Sequence, residues 1–408
     1  MAFTVDDADA VRARHAEWTG RGLTIAQPPT ELDFGHTFVA LDPDGHRLRV
    51  FAPSARGPRV RRGLDALVRP WLDDPMFPAP SYPTPVRALT ELRSAHAEVW
   101  LKNDGLSHPV YGGNKVRKAQ RLVAEAIRRG APRVLSFGAA GSHHLLTLTL
   151  FARAAGLESA AVVFPQPRTD HAAATLRAAL AAGLRVYPAR QPALIPGVFA
   201  RAWQRADYVV APGGSNRVGA GACADAVLEL ERQITLGELP CPDVIVVPLG
   251  SGGTCGGLAA GVVSRGLRSS VLGVQVVAGV GPRVTARWLA RSVLRAAGKA
   301  QLANQLGPCI RFDSAHVGPG YGAPSQSGIR ALAIAAELGL ELDQTYTAKA
   351  FAKVLELAAS AKSVSDETGP RPLRILYWHT LAATPLEPLL RDATNEEELP
   401  SSIRQLLR

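Results

Sequence analysis

Residues 243–261, DVIVVPLGSGGTCGGLAAG, decide the fold. DVIVVPL is a near-continuous apolar run of strand length, and GGLAAG opens an apolar helical stretch. Between them, Gly250, Gly252 and Gly253 let backbone N–H groups converge without side chains in the way. Ser251 and Thr254 add hydroxyls, and the helix N-terminus adds a dipole that favours an anion. The loop lacks the Gly-Lys-Ser/Thr of a Walker A sequence and is not a well-placed GxGxxG dinucleotide fingerprint. A plain glycine-rich turn is the alternative. The strand–loop–helix context favours a phosphate site.

The same alternation extends outward from this unit. Strands are expected at 98–102, 133–138, 160–164, 184–189, 207–212, 243–249, 270–277 and 373–378, with amphipathic helical runs between most of them. Apolar strands separated by helices predict an α/β fold of parallel sheets covered on both faces. Gly130, Gly156, Gly183 and Gly339 stand at helix C-terminal caps. KSVSDETGPRP (362–372) reads as an exposed loop, and no internal repeat is visible. Residues 1–75 read as an N-terminal extension, with HTFVALDPDGHRLRVF forming a hairpin about Asp42-Pro43-Asp44-Gly45.

Composition narrows the function classes. The chain has 408 residues, 47% hydrophobic and 20% charged, the balance of a soluble protein with a large core. No apolar run is long enough to span a bilayer, and the polar, acidic start is unlike a signal peptide, so a cytoplasmic protein is expected. The four widely spaced cysteines have no CxxC pairing and read as buried free thiols. A net charge of +11 raises the question of nucleic acid. The arginines are mostly scattered over helices, and the one dense cluster, RGPRVRR (56–62), has no aromatic interleaving, so a small anionic ligand is preferred.

Three further loops carry candidate chemistry. In VYGGNKVRKAQRL (110–122), Lys115 follows Gly112-Gly113-Asn114 and begins a helix. The helix N-terminal field, with Arg117 and Lys118 nearby, would lower its pKa and leave more of the nucleophilic amine. An ordinary exposed lysine is the equal alternative from this loop alone. In SFGAAGSHHLL (136–146), Ser142 is either a helix cap or a ligand group, and the adjacent His143 and His144 point apart, with no third residue spaced for a metal. GPGYGAP (318–324) presents Tyr321 between glycines, and Thr380 ends an apolar strand, where it is either structural, the commoner case for a lone terminal threonine, or placed to meet the ring nitrogen of a bound pyridine.

In order and spacing these segments resemble the D-cysteine desulfhydrase and 1-aminocyclopropane-1-carboxylate (ACC) deaminase family. That family belongs to the tryptophan-synthase-β-like, fold type II enzymes that depend on pyridoxal 5′-phosphate (PLP). The match runs from about Pro83 to about Thr380 through GGNKVRK, PGGSNRVGAG (212–221), GSGGTCGGL (250–258), GPGYGAP, YTAKA (346–350) and HT (379–380). The resemblance implies two open, mostly parallel twisted sheets flanked by helices, divided into a large cofactor domain (76–114 and 226–408) and a small α/β domain (115–225). It implies PLP on Lys115 as a Schiff base, Gly250, Ser251, Gly252, Gly253 and Thr254 at the phosphate, and Thr380 at the pyridine nitrogen. Asn114 and His143 join the cofactor contacts, Ser142 binds substrate carboxylate or assists proton transfer, and Tyr321 lines the ring face. A homodimer acting on a small amino acid and releasing ammonia and a 2-oxo acid is implied as well, without nucleic-acid or membrane partners.

The chain departs from the family's usual pattern at two places. Gly141-Ser142-His143-His144 stands where Gln-Ser-Asn-His is usual, and His379-Thr380-Leu381-Ala382 where His-Thr-Gly-Gly is usual. His143 would replace the asparagine that supports the cofactor's phenolic oxygen. Three other readings stay open: a β-replacement synthase, a PLP-binding protein with little catalysis, and a nucleotide-binding Rossmann protein.

Overall fold

The computed structural model describes residues 2–5, 7–32, 35–41, 47–53, 78–366 and 369–407. The chain forms two compact units, Met1–Val68 and Arg69–Arg408.

In the first unit, β1 (Ala2–Thr4) leads into α1 (Ala8–Gly20), then β2 (Thr24–Leu32), β3 (Gly35–Leu41) and β4 (Arg47–Pro53). The sheet order is β1-β4-β3-β2. The expected hairpin is β3–β4, with Phe38 opposite Val50 and Ala40 opposite Leu48. Its Asp42–Gly45 turn lies outside the described residues, as does the 56–62 basic cluster. Val11 of α1 packs on Phe38, Ala40, Val50 and Ala52. The sequence reading lacked α1, whose one fully buried residue is Val11, and the register-shifted, two-proline β2. Both carry weak periodicity.

The second unit contains β5 (Val86–Ala88), β6 (Ala97–Asn103), α2 (Lys115–Arg128), β7 (Arg133–Ala139), α3 (His143–Ala154), β8 (Glu158–Phe164), α4 (Asp170–Ala181), β9 (Leu184–Pro188), α5 (Ile195–Ala202) and β10 (Tyr208–Val209). It continues with α6 (Arg217–Thr235), β11 (Val244–Leu249), α7 (Gly253–Arg265), β12 (Ser270–Gln275), α8 (Gly281–Ala296), β13 (Ile310–Asp313), α9 (Gln326–Glu337), α10 (Thr347–Ser360), β14 (Val364–Asp366), β15 (Gly369–Arg371) and β16 (Leu373–His379).

Two open sheets result. The larger runs β13-β12-β11-β16-β6-β5, parallel except for the short edge strand β5, and the smaller runs β10-β7-β8-β9, all parallel. The alternation along each strand explains why both faces are covered. Ile245, Val247, Leu376 and Trp378 face Leu230, Leu258 and Leu289 of α6, α7 and α8. Val244, Val246, Ile375 and Tyr377 face Ala331, Phe351 and Val354 of α9 and α10. This is the expected α/β, fold type II architecture. The four capping glycines all take positive φ.

The corrections are local. The 207–212 strand shortens to β10 because Pro212 begins a 3-10 turn. The expected loop at 362–372 contains the antiparallel β14–β15 ribbon, anchored by Arg371 on Asp243 at 2.8 Å. β5 and β13 are short edge strands without a length signal. Cys223, Cys255 and Cys309 are buried free thiols, whereas Cys241 is only partly covered. Among the described residues no helix is long and apolar enough to cross a membrane.

Candidate active site

The strand-to-helix loops of both sheets converge on one cavity of about 420 Å³. Asn114, Lys115, Ser142, His143, Gly250, Ser251, Gly252, Gly253, Thr254, Tyr321 and Thr380 all line it. Parallel strands deliver their loops to one end, so residues 114 and 380 meet although far apart in sequence.

The glycine loop is shaped by close approach. Gly252 has φ +88°, which no branched side chain adopts cheaply. A Cβ at Gly253 would lie 2.4 Å from Ser215 Oγ and 2.9 Å from Lys118 Nζ. The Gly253 N–H donates to Ser215 Oγ at 3.1 Å, and Ser215 Oγ meets Ser251 Oγ at 2.7 Å. Asn114 Nδ2 donates to Thr254 Oγ1 at 2.9 Å, which leaves the threonine proton free to donate into the cavity. The later glycines have another purpose. A Cβ at Gly257 would lie 2.2 Å from the Ala220 carbonyl, so that position serves the α6–α7 crossing.

Lys115 faces this loop across the cavity. Burial lowers its pKa to about 7, and the Lys118 charge adds to the effect. The expected contribution of Arg117 is corrected. Arg117 points into a buried network, donating to Asp104 Oδ2 at 3.0 Å and Glu229 Oε2 at 2.7 Å, and its charge is neutralised there. Lys118 is the cation the sequence reading undervalued. It is 1% exposed, has no carboxylate partner among the described residues, and donates to the Gly213 carbonyl at 3.2 Å. Burial without an anion pulls the Lys118 pKa down, and an anionic ligand beside the converging glycines would hold the amine charged.

The other candidates differ in their constraints. Ser142 occupies the N-cap position of α3, but its side chain makes no capping bond, so the capping alternative does not hold. His144 also lines the cavity, but its Nε2 is engaged with Ser136 Oγ of the small sheet at 3.0 Å. Among the described residues no group of three His, Cys, Asp or Glu side chains could hold a metal. His143 is corrected as a free donor toward a cofactor: Nδ1 meets the Tyr111 hydroxyl and Nε2 lies 3.1 Å from His171 Nε2.

Tyr321 sits on a loop held by Lys349, whose Nζ donates to the Val317 and Gly320 carbonyls at 2.7 and 2.9 Å. The Tyr346 hydroxyl donates to that of Tyr321 at 2.9 Å, and Tyr346 also walls Gly250. Tyr346 and Asp343, both lining the cavity, had no assigned role in the sequence, although YTAKA was the segment that held the tyrosine. Leu381 also lines the cavity beside Thr380 and is 6% exposed, which places the bulk of that departure at the site.

The residues fit a phosphorylated, carbonyl-bearing cofactor. A glycine cradle and an unpaired ammonium suit its phosphate, and a depressed-pKa lysine suits its carbonyl. The comparisons with known proteins agree with this class. The family model described as "Pyridoxal-phosphate dependent enzyme" matches residues 79–368, and the chain belongs to that family. Its cofactor is PLP, and it is a PLP-dependent enzyme of the lyase and deaminase type.

Within that class, the chain falls with the D-cysteine desulfhydrases and ACC deaminases. It is 31% identical to a D-cysteine desulfhydrase of Klebsiella pneumoniae over 74% of this chain and 93% of that protein. It is 30% identical, over 74% and 93%, to a D-cysteine desulfhydrase of Salmonella paratyphi C. A solved ACC deaminase homologue superposes with TM-score 0.60 at 25% identity, covering 79% of this chain and 99% of that one. A fungal L-serine ammonia-lyase from Rhizomucor miehei shares the fold, with TM-score 0.52 at 16% identity over 76% and 98%.

Proposed function

We propose that the enzyme acts on a small amino acid resembling D-cysteine or ACC and releases ammonia and a 2-oxo acid. The observation that carries this reading is the Lys115 amine, its pKa lowered to about 7, in one cavity with the glycine cradle that Lys118 backs from beneath Gly253. Bound PLP supplies an electron sink for a carbanion at the substrate α-carbon.

The chain's own groups then have distinct tasks. The Gly250–Thr254 loop, with Lys118, would hold the phosphate. Thr380, on the cavity wall, would meet the pyridine nitrogen, and Asn114 orients Thr254. Lys115 Nζ would hold the cofactor through its carbonyl and, once released, could move the α-proton, a task that needs its amine neutral near physiological pH. Ser142, free of capping, binds the substrate carboxylate. Tyr321 and Tyr346 form the opposite wall, where paired hydroxyls can pass a proton to a departing group. Leu381 narrows the pyridine end and favours a small side chain.

A panel of D-cysteine, L-cysteine and ACC, assayed for 2-oxo acid and ammonia in equal amounts, tests the reading. Sustained release from at least one is expected. No release from any of them, with PLP bound, contradicts it.

We also propose that the protein is a homodimer working in the cytoplasm, a compartment that suits its four free cysteines. Val280, Val284 and Trp288 recur every four residues at and within α8 and are 69%, 62% and 58% exposed. A stripe this apolar at helical spacing suits a second copy of the chain. Light scattering should give a dimer, and Val284→Asp with Trp288→Glu should give a monomer. A dimer that survives both substitutions rules out this face.

A further inference from the structure

The departures at Gly141 and His143 act together. A Cβ on residue 141 would lie 2.6 Å from Ala172 Cβ and 2.7 Å from Ala172 Cα. The glycine therefore lets the first turn of α4 close onto the start of α3. That closure brings His171, the residue before Ala172, onto His143. Their Nε2 atoms are 3.1 Å apart, and their ring centroids 4.9 Å.

On its other side His143 is held by Tyr111. The hydroxyl meets Nδ1, and the rings stack at 6.1 Å with planes 14° apart. Tyr111 is 2% exposed, and no other partner of its hydroxyl is found among the described residues. One proton arrangement satisfies every group. Tyr111 O–H donates to His143 Nδ1, His143 Nε2–H donates to His171 Nε2, and the outer N–H of His171 is left to solvent. The reverse polarity would strand the buried phenolic proton. His143 lines the cavity and His171 is exposed, so His171 reaches a cavity-wall ring from the surface.

We propose that His171 is a positioning residue for the active site: through Nε2 it fixes the tautomer and ring angle of His143. The surroundings favour a neutral His143. Burial holds its pKa down to about 4, aided by the charges of His171 and Lys115 and opposed by Asp343. From α2 and the turn before it come Lys115 and Tyr111, from the loop before α10 comes Asp343, and from α4 comes His171. Arg168 and Asp170 beside α4 pair with each other at 3.3 Å, and Arg168 also binds Glu396, so their charges are largely spent at the surface. Asparagine, usual at position 143 in the family, cannot titrate. The histidine pair thus gives this chain a titratable, oriented side chain on the cavity wall where the usual residue is neutral.

His171→Ala and His171→Gln test this in the full-length holoenzyme, and an exposed position lets both fold. Imidazole nitrogen and carbon NMR signals are followed against pH, beside the pH profile of kcat/KM. In the wild type, His143 shows an unprotonated Nδ1 and titrates well below a free histidine. In His171→Ala, its tautomer becomes mixed and its proton affinity rises about threefold or more as the neighbouring charge is lost. In His171→Gln, the amide oxygen still accepts from Nε2–H, so the tautomer is retained while the neighbouring imidazole charge is lost. The acid limb of kcat/KM moves in the alanine variant in the same direction as the His143 titration. A His143 that keeps its tautomer and titration in His171→Ala overturns the proposal. The proposal rests on the cavity being the active site, but the two can fail separately. Absence of turnover with every amino acid would sink the proposed activity and leave the NMR result standing.

Discussion

Lys115→Ala lowers kcat/KM by about 10³-fold or more, because one side chain both holds the cofactor and moves the α-proton. No neighbour can substitute. Lys118 is directed at Gly213, and Lys102 is sealed beneath the sheet against Glu229. Lys115→Arg fails equally, since a guanidinium stays charged at any working pH. The sign of the pH effect follows from the amine. Its folded pKa of about 7 means that the neutral form accumulates above that value, so capture of added PLP by the cofactor-free protein speeds up through about pH 7 and then levels off. An ordinary exposed lysine would show the rise near pH 10. Rapid-mixing absorbance across pH 5.5–9, a range chosen to bracket the about-7 midpoint, separates the two.

Arg117→Met destabilises the fold by about 3–5 kcal/mol, the range for breaking a buried pair. Arg117 is 6% exposed and Asp104 1%. Burial pushes the Asp104 carboxyl up, but the Arg117 guanidinium, with Lys102 and the Trp378 N–H, outweighs it and holds the carboxylate ionised. Removing Arg117 leaves Lys102 bonded to Glu229 and the buried Asp104 without an ion-pair partner among the described residues. Arg117→Lys rescues little, because the guanidinium binds both carboxylates in a fork that an ammonium cannot reproduce. Urea unfolding of both variants beside Lys115→Ala checks this. The alanine variant stays near wild-type stability, since it loses a desolvated amine rather than a paired one.

Arg117 also marks where the sequence stops being legible. Its charge and its place two residues after Lys115 are plain in the sequence, but its partners lie 13 and 112 residues away. Only the folded chain shows that the charge is spent on them. The strands of the second unit were readable because burial on both faces makes them continuous apolar runs, and the glycine loop because a tight turn against a ligand admits few residue types. His171 gave no signal, since its meeting with His143 depends on the missing side chain at Gly141. Ser215 and Tyr346 lay within segments already marked by the resemblance. Their roles come from contacts across the cavity that linear spacing does not encode.

The most direct test of the central claim, that Lys115 carries PLP, is borohydride reduction of the purified protein followed by peptide mass mapping. The account predicts a visible absorption band that borohydride bleaches, with the cofactor mass fixed on the peptide containing Lys115 and absent from Lys115→Ala. Attachment to any other lysine, or no band after PLP is supplied, would contradict it.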